Sequence, residues 1–133
     1  MNPLEFEEQV ALVQYLELKG YKFTAIPNST YTKSIQQKMK NKRSGLRPGL
    51  PDLLVVVPNI GLVFIELKRV KGGVVSQAQK DWIAALNSCP GVEAVVCKGA
   101  QEAIDFLESL TIIKPTIGAS LVVPTGTLTT TIF

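Results

Sequence analysis

Apolar residues recur every three or four positions near the start of the chain, and this period predicts an amphipathic helix over residues 3–18. Asn2 and Pro3 suit the N-cap and the first helical position, and Gly20 suits the end of the helix. The apolar positions with this spacing are Phe6, Val10, Val13 and Leu16.

Short apolar runs further along the chain predict strands. Residues 21–26, YKFTAI, alternate apolar and polar side chains until a Pro-Asn pair ends them. The runs DLLVVV and LVFIELKR, separated by a turn at 58–61, predict a β-hairpin. Because residues 53–57 are apolar on both faces, we expect this hairpin at the centre of a sheet covered on both sides. The polar stretch before the hairpin is predicted to be a loop or a short exposed helix.

A helix, a strand and a second helix are predicted after the hairpin. Ser76 suits the N-cap of a helix that runs to about Asn87, and a strand at 92–97 and a helix at 100–110 follow. The inner stripe of the first helix is predicted to be Ala78, Trp82, Ala85 and Leu86. The element order is therefore α-β-β-β-α-β-α, an α/β domain with a right-handed strand-helix-strand crossover.

Residues 111–133 have a different composition from the rest of the chain. No charge follows Lys114, threonine and β-branched residues dominate, and Pro115 and Pro124 divide the segment. These features predict a strand-like tail that is not helical, separate from a domain over residues 1–110. Two ways of covering its apolar side chains are open: pairing with another copy of the protein, or packing along its own sheet.

Composition narrows the class of protein. A chain of 133 residues with 46% apolar and 19% charged residues is expected to form one globular domain. No run reaches the roughly 18 apolar residues of a membrane span, so we expect a soluble, cytoplasmic protein. Cys89 and Cys97 are expected to be reduced thiols, and their spacing argues against zinc. The absence of histidine excludes mechanisms with an imidazole base, which leaves carboxylates, lysine or a metal.

Basic residues cluster between the first helix and the hairpin. The segment between Leu18 and Pro51 holds eight of the fourteen Lys and Arg residues and none of the eleven acidic residues, a local charge of +8. A solvated loop could carry such charge, but a polyanion is the favoured partner because clustered Lys and Arg release counterions from phosphates. The residues expected to contact a nucleic-acid backbone are Lys33, Lys38, Lys40, Lys42, Arg43, Arg47 and Arg69.

The second strand of the hairpin interrupts its apolar pattern with two charges. In LVFIELK, Glu66 and Lys68 share a face with Phe64, so that face is not simply solvated. A carboxylate there costs on the order of several kcal/mol unless a partner or a metal compensates it. An ion pair on a wet strand is the structural alternative.

Asp52 shares that face only in one hairpin register. A loop of odd length, with Val57 opposite Gly61, places Asp52 opposite Glu66, whereas a two-residue loop places it opposite Leu67. A kink after Pro51 could also re-aim Asp52. If the two carboxylates converge, a divalent cation is the natural resolution, and carboxylate and main-chain oxygens suit Mg²⁺ or Mn²⁺.

We therefore predict a metal site of Asp52, Glu66 and the carbonyl of Leu67. Lys68 would then orient a water and stabilise charge that develops on a phosphate.

The spacing of these residues resembles that of a known family. A Pro-Asp followed at this distance by Glu-x-Lys is the signature of the PD-(D/E)XK nuclease superfamily. The form GLPDLLVV, then VFIELKR, then SQAQKDW with Gln79, Lys80 and Trp82, resembles the virus-type replication-repair nuclease (VRR-NUC) domain over about 5–110.

The resemblance implies a restriction-endonuclease-like core and roles for four residues. Asp52 and Glu66 would be metal ligands, Lys68 the catalytic lysine, and Gln79 a helix residue that faces the active site. The first helix often lends a glutamate in such nucleases. We choose Glu8, with Glu5 and Glu7 as open alternatives.

The function that we expect is a Mg²⁺- or Mn²⁺-dependent DNA endonuclease that acts on branched DNA, such as Holliday junctions, as a homodimer in phage or bacterial replication and repair. No membrane and no small-molecule cofactor are expected. The alternatives are a non-catalytic nucleic-acid-binding module of the same fold, a sequence-specific restriction-type endonuclease, and an interaction protein assembled through its tail.

Overall fold

The computed structural model describes residues 3–27 and 32–120, and only the backbone for 112–120. Four helices and four strands follow one another in the predicted order, and the polar stretch before the hairpin is a short exposed helix rather than a loop. The elements are α1 Pro3–Lys19, β1 Lys22–Ala25, α2 Ile35–Arg43, β2 Leu53–Val57, β3 Gly61–Lys68, α3 Gln77–Asn87, β4 Val92–Lys98 and α4 Ala100–Ser120.

The four strands form one mixed sheet in the order β1-β2-β3-β4. β1 pairs with β2 and β2 with β3 in antiparallel fashion, whereas β3 and β4 are parallel. A parallel pair needs a crossover connection, and α3 supplies it between β3 and β4. The β2-β3 hairpin therefore lies at the centre of the sheet, as predicted.

The hairpin adopts the register that the parity argument required. Val57 lies opposite Gly61 across a three-residue loop, and the ladder ends with Leu53 opposite Ile65. Asn59 takes a φ of 67°, a conformation that asparagine tolerates better than most residues in such a turn. One further step along this register places Asp52 opposite Glu66.

The hydrophobic core lies between one face of the sheet and the pair α1 and α4. The sheet contributes alternate residues of β2 and β3, because side chains alternate between the faces of a strand. The buried core residues are Leu12, Leu16, Leu53, Val55, Val57, Val63, Ile65, Leu67, Cys97, Ala100, Ala103 and Leu107.

The apolar period of α1 marks its buried face only in the second half of the helix, where Leu16 is buried and Val13 packs against the core. Phe6 is 57% exposed, whereas Leu12 and Leu16 are fully buried. At 3.6 residues per turn, Glu5 and Gln9 extend the Leu12–Leu16 face toward the start of the helix. The inward face of α1 is therefore polar in its first turns, and that is why apolar residues alone did not identify it.

The second face of the sheet is only partly covered, in contrast to the expectation from β2. α3 lies against β4, at one edge of the sheet. Consequently Val56 of β2 and Leu62 of β3 stay exposed on that face. No residue of α3 is fully buried, and its predicted inner residue Ala85 is exposed.

The prediction that residues 111–133 cannot be helical is wrong for 111–120. α4 continues through Pro115 to Ser120, across the predicted domain boundary at residue 110. The first turns are fixed by burial of Ala103 and Leu107, so helix propagation starts from a formed nucleus and overrides local strand propensity. Residues 121–133 lie outside the described residues. Among the described helices, none has the length and apolarity to cross a membrane.

Candidate active site

Asp52 stands just before β2 and reaches across to the neighbouring strand. Its Oδ2 accepts a hydrogen bond from the backbone N–H of Leu67 at 2.8 Å. This bond continues the hairpin beyond its last ladder pair and fixes the carboxylate beside the end of β3. The N–H and C=O of a strand residue point to the same edge, so the carbonyl of Leu67 also points toward Asp52.

Glu66 and Lys68 form a buried ion pair on the face of β3 that is opposite the core. Their residues are 2% and 9% exposed, and Lys68 Nζ lies 3.2 Å from Glu66 Oε2. The loop after β3 covers this pair. A Cβ at Gly73 would lie 2.8 Å from Lys68 Cβ, so only glycine lets the loop approach so closely. The alternative of an ion pair on a wet strand is therefore wrong.

Gln79 joins this pair from α3, as the resemblance implied. Its Nε2 donates a hydrogen bond to Glu66 Oε2 at 2.9 Å, and its Oε1 accepts one from the backbone N–H of Ser76 at 2.9 Å. Ser76 Oγ in turn accepts from the backbone N–H of Gln79, which completes a capping box. The sequence signal for this arrangement is Ser-x-x-Gln, which orients the amide before any tertiary contact forms.

Burial and mutual repulsion shape the protonation of the two carboxyl groups. Burial, followed by the charge of Asp52, raises the pKa of Glu66 to about 7, although Lys68 opposes the shift. Burial also raises the pKa of Asp52, and the Leu67 N–H and Lys68 counteract this. A half-buried carboxyl group next to a buried one gives a local environment that favours a bound positive charge.

The donor set of the site fits a divalent cation. Glu66 Oε1 is buried and accepts no hydrogen bond from the described residues, so one carboxylate oxygen of the site lacks a donor. Among residues 3–27 and 32–111, three or more Cys, Asp or Glu side chains do not come close enough together to hold a metal by themselves. The ligands would therefore be two carboxylates, a main-chain oxygen and waters, which suits Mg²⁺ because it keeps several waters when bound.

The hydrogen bond that the structure shows for Glu8 is to the start of helix α4. Glu8 Oε1 accepts a hydrogen bond from the backbone N–H of Ala100 at 2.6 Å, at the N-terminus of α4. A carboxylate is stabilised there by the helix dipole, so this placement has a structural explanation. The first-helix carboxylate whose charge acts on Asp52 is Glu5. The prediction of Glu8 as a metal ligand gains no support from its position.

Trp82 of α3 fixes the loop that leads into β2, a role that the sequence analysis missed. Its Nε1 donates a hydrogen bond to the carbonyl of Pro48 at 3.0 Å. Gly49 has a φ of 106°, and a Cβ there would lie 2.6 Å from the backbone of Ala78. α3 therefore positions Asp52 through this loop and Glu66 through Gln79.

The predicted backbone-binding residues fall into two groups. Lys33 and the four basic residues of α2 are exposed, and α2 has no buried residue. Arg47 Nη1 donates to the carbonyls of Lys42 and Leu46, and Arg69 donates to the carbonyls of Lys71 and Gly72. These two arginines therefore also brace their own loops.

A central hairpin that presents Asp52 and Glu66-x-Lys68 together at the end of a mixed sheet is the arrangement of a PD-(D/E)XK nuclease. The model of the VRR-NUC domain family matches residues 5–101, and the chain belongs to this family. It is therefore a nuclease domain of the PD-(D/E)XK type, with DNA as its substrate. Domains of this type generally use divalent metals.

Solved structures share the fold. One, described as a VRR_NUC domain protein, is 24% identical and superposes with a TM-score of 0.65, covering 82% of this chain and 88% of its own. A second, described as a VRR_NUC domain, is 20% identical with a TM-score of 0.57, covering 79% of this chain and 95% of its own. At these identities the likeness shows the fold alone. No curated protein matches the sequence.

Proposed function

We propose that the protein is a Mg²⁺- or Mn²⁺-dependent DNA endonuclease that hydrolyses phosphodiester bonds in branched DNA. The observation that supports the metal dependence is the buried Glu66 Oε1, which lacks a hydrogen-bond donor among the described residues and lies beside the half-buried carboxyl group of Asp52. Lys68 supplies one positive charge to a pair of carboxyl groups, and a bound cation would offset the second negative charge.

The residues that would hold the cation are Asp52, Glu66 and the carbonyl of Leu67. When bound, the cation would neutralise the carboxylate pair and polarise the phosphodiester as a Lewis acid. The chain itself fixes these ligands in advance: the Leu67 N–H holds one Asp52 oxygen, and Gln79 and Lys68 hold Glu66 Oε2. The remaining carboxylate oxygens would be available to hold the cation.

Lys68 is the catalytic lysine in this proposal. Its ammonium group is nearly buried and lies beside Glu66, so it would orient a water for attack on phosphorus and stabilise charge that develops on the phosphate. Gln79 acts through Glu66, because its amide donates to that carboxylate and its own orientation is set by the N-terminus of α3. Gln79 is thus a positioning residue.

DNA would lie along the basic segment. α2 presents four cations and no acid, and counterion release from phosphates would make binding strongly dependent on salt. The preference for branched DNA, the homodimer and the setting in phage or bacterial replication and repair rest on the family resemblance. Two copies with antiparallel sites would suit symmetric nicks in a four-way junction.

Cleavage of labelled linear duplex, flap and four-way-junction DNA tests this proposal. The protein is assayed with Mg²⁺, with Mn²⁺ and with EDTA, and compared with Lys68→Ala. Lys80→Ala is the matched control, because this exposed lysine lies on α3 one residue after Gln79. We expect paired nicks in the junction that disappear with EDTA and with Lys68→Ala and persist with Lys80→Ala.

Binding without cutting under every metal condition, equal in Lys68→Ala, would instead identify a non-catalytic nucleic-acid-binding module. Equal cutting of linear and branched DNA would keep the nuclease and overturn the branched substrate.

A further inference from the structure

Helix α2 exposes apolar side chains that no described element of the fold buries. Ser34 caps the helix by accepting a hydrogen bond from the N–H of Gln37 at 3.1 Å, and no residue of the helix is buried. Ile35 is 71% exposed and Met39 is 58% exposed. This pair therefore contributes little burial to the stability of the described fold.

Ile35 and Met39 form one short stripe within a basic surface. Residues four apart lie above one another on a helix, so these two side chains share an edge of α2. At about 100° per residue, Lys38 and Lys42 flank the stripe on one side and Arg43 flanks it on the other. We name this surface, Ile35 and Met39 with Lys38, Lys42 and Arg43, the α2 wedge.

The α2 wedge is tied to the active site through its C-terminal loop. Arg47 Nη1 donates to the carbonyl of Lys42 and so closes the end of the helix. The next residue, Pro48, accepts the hydrogen bond of Trp82, and Asp52 follows four positions later. A ligand on the wedge is therefore connected to the metal site by a short braced loop.

The charge of the wedge selects one class of occupant. Its cations complement phosphates, and the basic segment around it contains no acidic residue. A fully paired duplex offers phosphates but buries the faces of its bases. Opened base steps add apolar surface, and isoleucine and methionine are among the side chains that insert between such steps. Cations beside exposed Ile35 and Met39 therefore fit phosphates that lie next to unstacked bases.

We propose that the α2 wedge binds DNA at a point where the bases are unstacked, with Ile35 and Met39 against the exposed bases and the flanking cations on the phosphates. This inference rests on the proposed function and names its substrate class: the nuclease recognises locally opened DNA through α2. The wedge thereby directs the metal site to the phosphodiester bonds beside a branch point.

Binding to matched DNAs tests the wedge separately from cleavage. Fluorescence anisotropy is measured in EDTA for a fully paired duplex and for the same duplex with a central mismatched bubble that carries 2-aminopurine. The wild-type protein should bind the bubble more tightly and change the 2-aminopurine signal. Ile35→Ser/Met39→Ser should weaken bubble binding by about tenfold and duplex binding by less than about twofold.

Two control variants separate the apolar from the charged contribution. Leu18→Ser removes an exposed apolar side chain from α1, where it is 83% exposed, and should leave both affinities unchanged. Lys38→Gln/Lys42→Gln should weaken binding to both DNAs alike. It should also reduce the slope of log affinity against log salt concentration by about 2. Thermal melts check that every variant is folded, which the exposure of these residues favours.

Three results would contradict the proposal that the α2 wedge binds unstacked bases. In the first, the wild-type protein binds both DNAs equally. In the second, the Ile35→Ser/Met39→Ser variant binds both DNAs less tightly, by the same factor. In the third, the wild-type protein is a dimer in sedimentation and that variant is a monomer. The last result would mean that the stripe is buried between two copies. Failure of the proposed function looks different, because it is absence of Mg²⁺- or Mn²⁺-dependent cleavage by the wild-type protein, whatever its preference for the bubble.

Discussion

Gln79 and Glu66 are joined by a hydrogen bond of 2.9 Å between Nε2 of the amide and Oε2 of the carboxylate. The other end of the same amide accepts the N–H of Ser76 at the start of α3. The amide therefore cannot flip without breaking the capping box. One side chain therefore controls both the start of α3 and the orientation of Glu66, the proposed metal ligand.

Gln79→Glu separates these two roles. A glutamate at this position still accepts the Ser76 N–H, so the capping box persists, but it loses the donor and places a carboxylate against Glu66. We expect cleavage to fall by about 10- to 100-fold, with a melting temperature close to wild type at saturating Mg²⁺. Gln101→Glu is the control, because this exposed glutamine of α4 hydrogen-bonds only to Asp105 among the interactions described. Unchanged cleavage by Gln79→Glu would contradict the positioning role.

Protonation of Glu66 should make the metal-free protein more stable in mild acid than at alkaline pH. The pKa of Glu66 is raised to about 7 in the folded protein from an ordinary value of 4.5, so the folded state binds more protons between these values. The free energy of unfolding therefore decreases as pH rises from about 4.5 to 7, and the raised pKa of Asp52 acts in the same direction. Urea titrations in EDTA across this range measure it. Glu66→Gln should flatten the dependence, and an equally steep profile in that variant would contradict the assignment.

Divalent cations should stabilise the folded protein independently of any cleavage. Mg²⁺ or Mn²⁺ at 100 times its dissociation constant adds about 2.7 kcal/mol to the free energy of unfolding, because only the folded state assembles the ligands. Differential scanning calorimetry should show a higher melting temperature with the cation for wild type and none of this increase for Asp52→Asn. Glu93→Gln, an exposed carboxylate on β4, should keep the full increase. Equal stabilisation of all three proteins would place the cation elsewhere.

Replacing Gly49 with alanine should destabilise the protein both by backbone strain and by a steric contact. The same replacement at Gly45 separates these two causes. Gly49→Ala combines a strained φ of 106° with a Cβ that meets the backbone of Ala78, whereas Gly45→Ala has a φ of 98° and open space around its Cβ. Strain alone costs about 1–3 kcal/mol. We expect urea unfolding to show this loss for Gly45→Ala and a larger loss for Gly49→Ala. Gly49→Ala should also cleave less, because the loop into Asp52 moves. Equal losses in the two variants would mean that the contact with α3 relaxes freely.

Local chemistry was enough to predict several features of this protein. The Ser76 cap, the hairpin and the central position of β2 and β3 follow from interactions between residues close in sequence. Alternation along a strand has a period of two, so the parity of one turn decides the face of every side chain. The sequence therefore named the two carboxylates and the register that would bring them together, but it left the loop length open, and the structure shows the three-residue loop.

Contacts between distant elements decided the rest. The inward face of α1 is polar near its start because it approaches the site, and Glu8 lies at the N-terminus of α4 because the two helices pack together. α4 continues past residue 110 because its first turns are already fixed against the sheet. Ile35 and Met39 are likewise exposed because no described element packs over that side of α2. The sequence by itself determined which carboxylates could form a pair. The tertiary structure decided how deeply Glu66 and Lys68 are buried and which basic and apolar side chains of α2 stay exposed, because burial is a property of the whole packed chain.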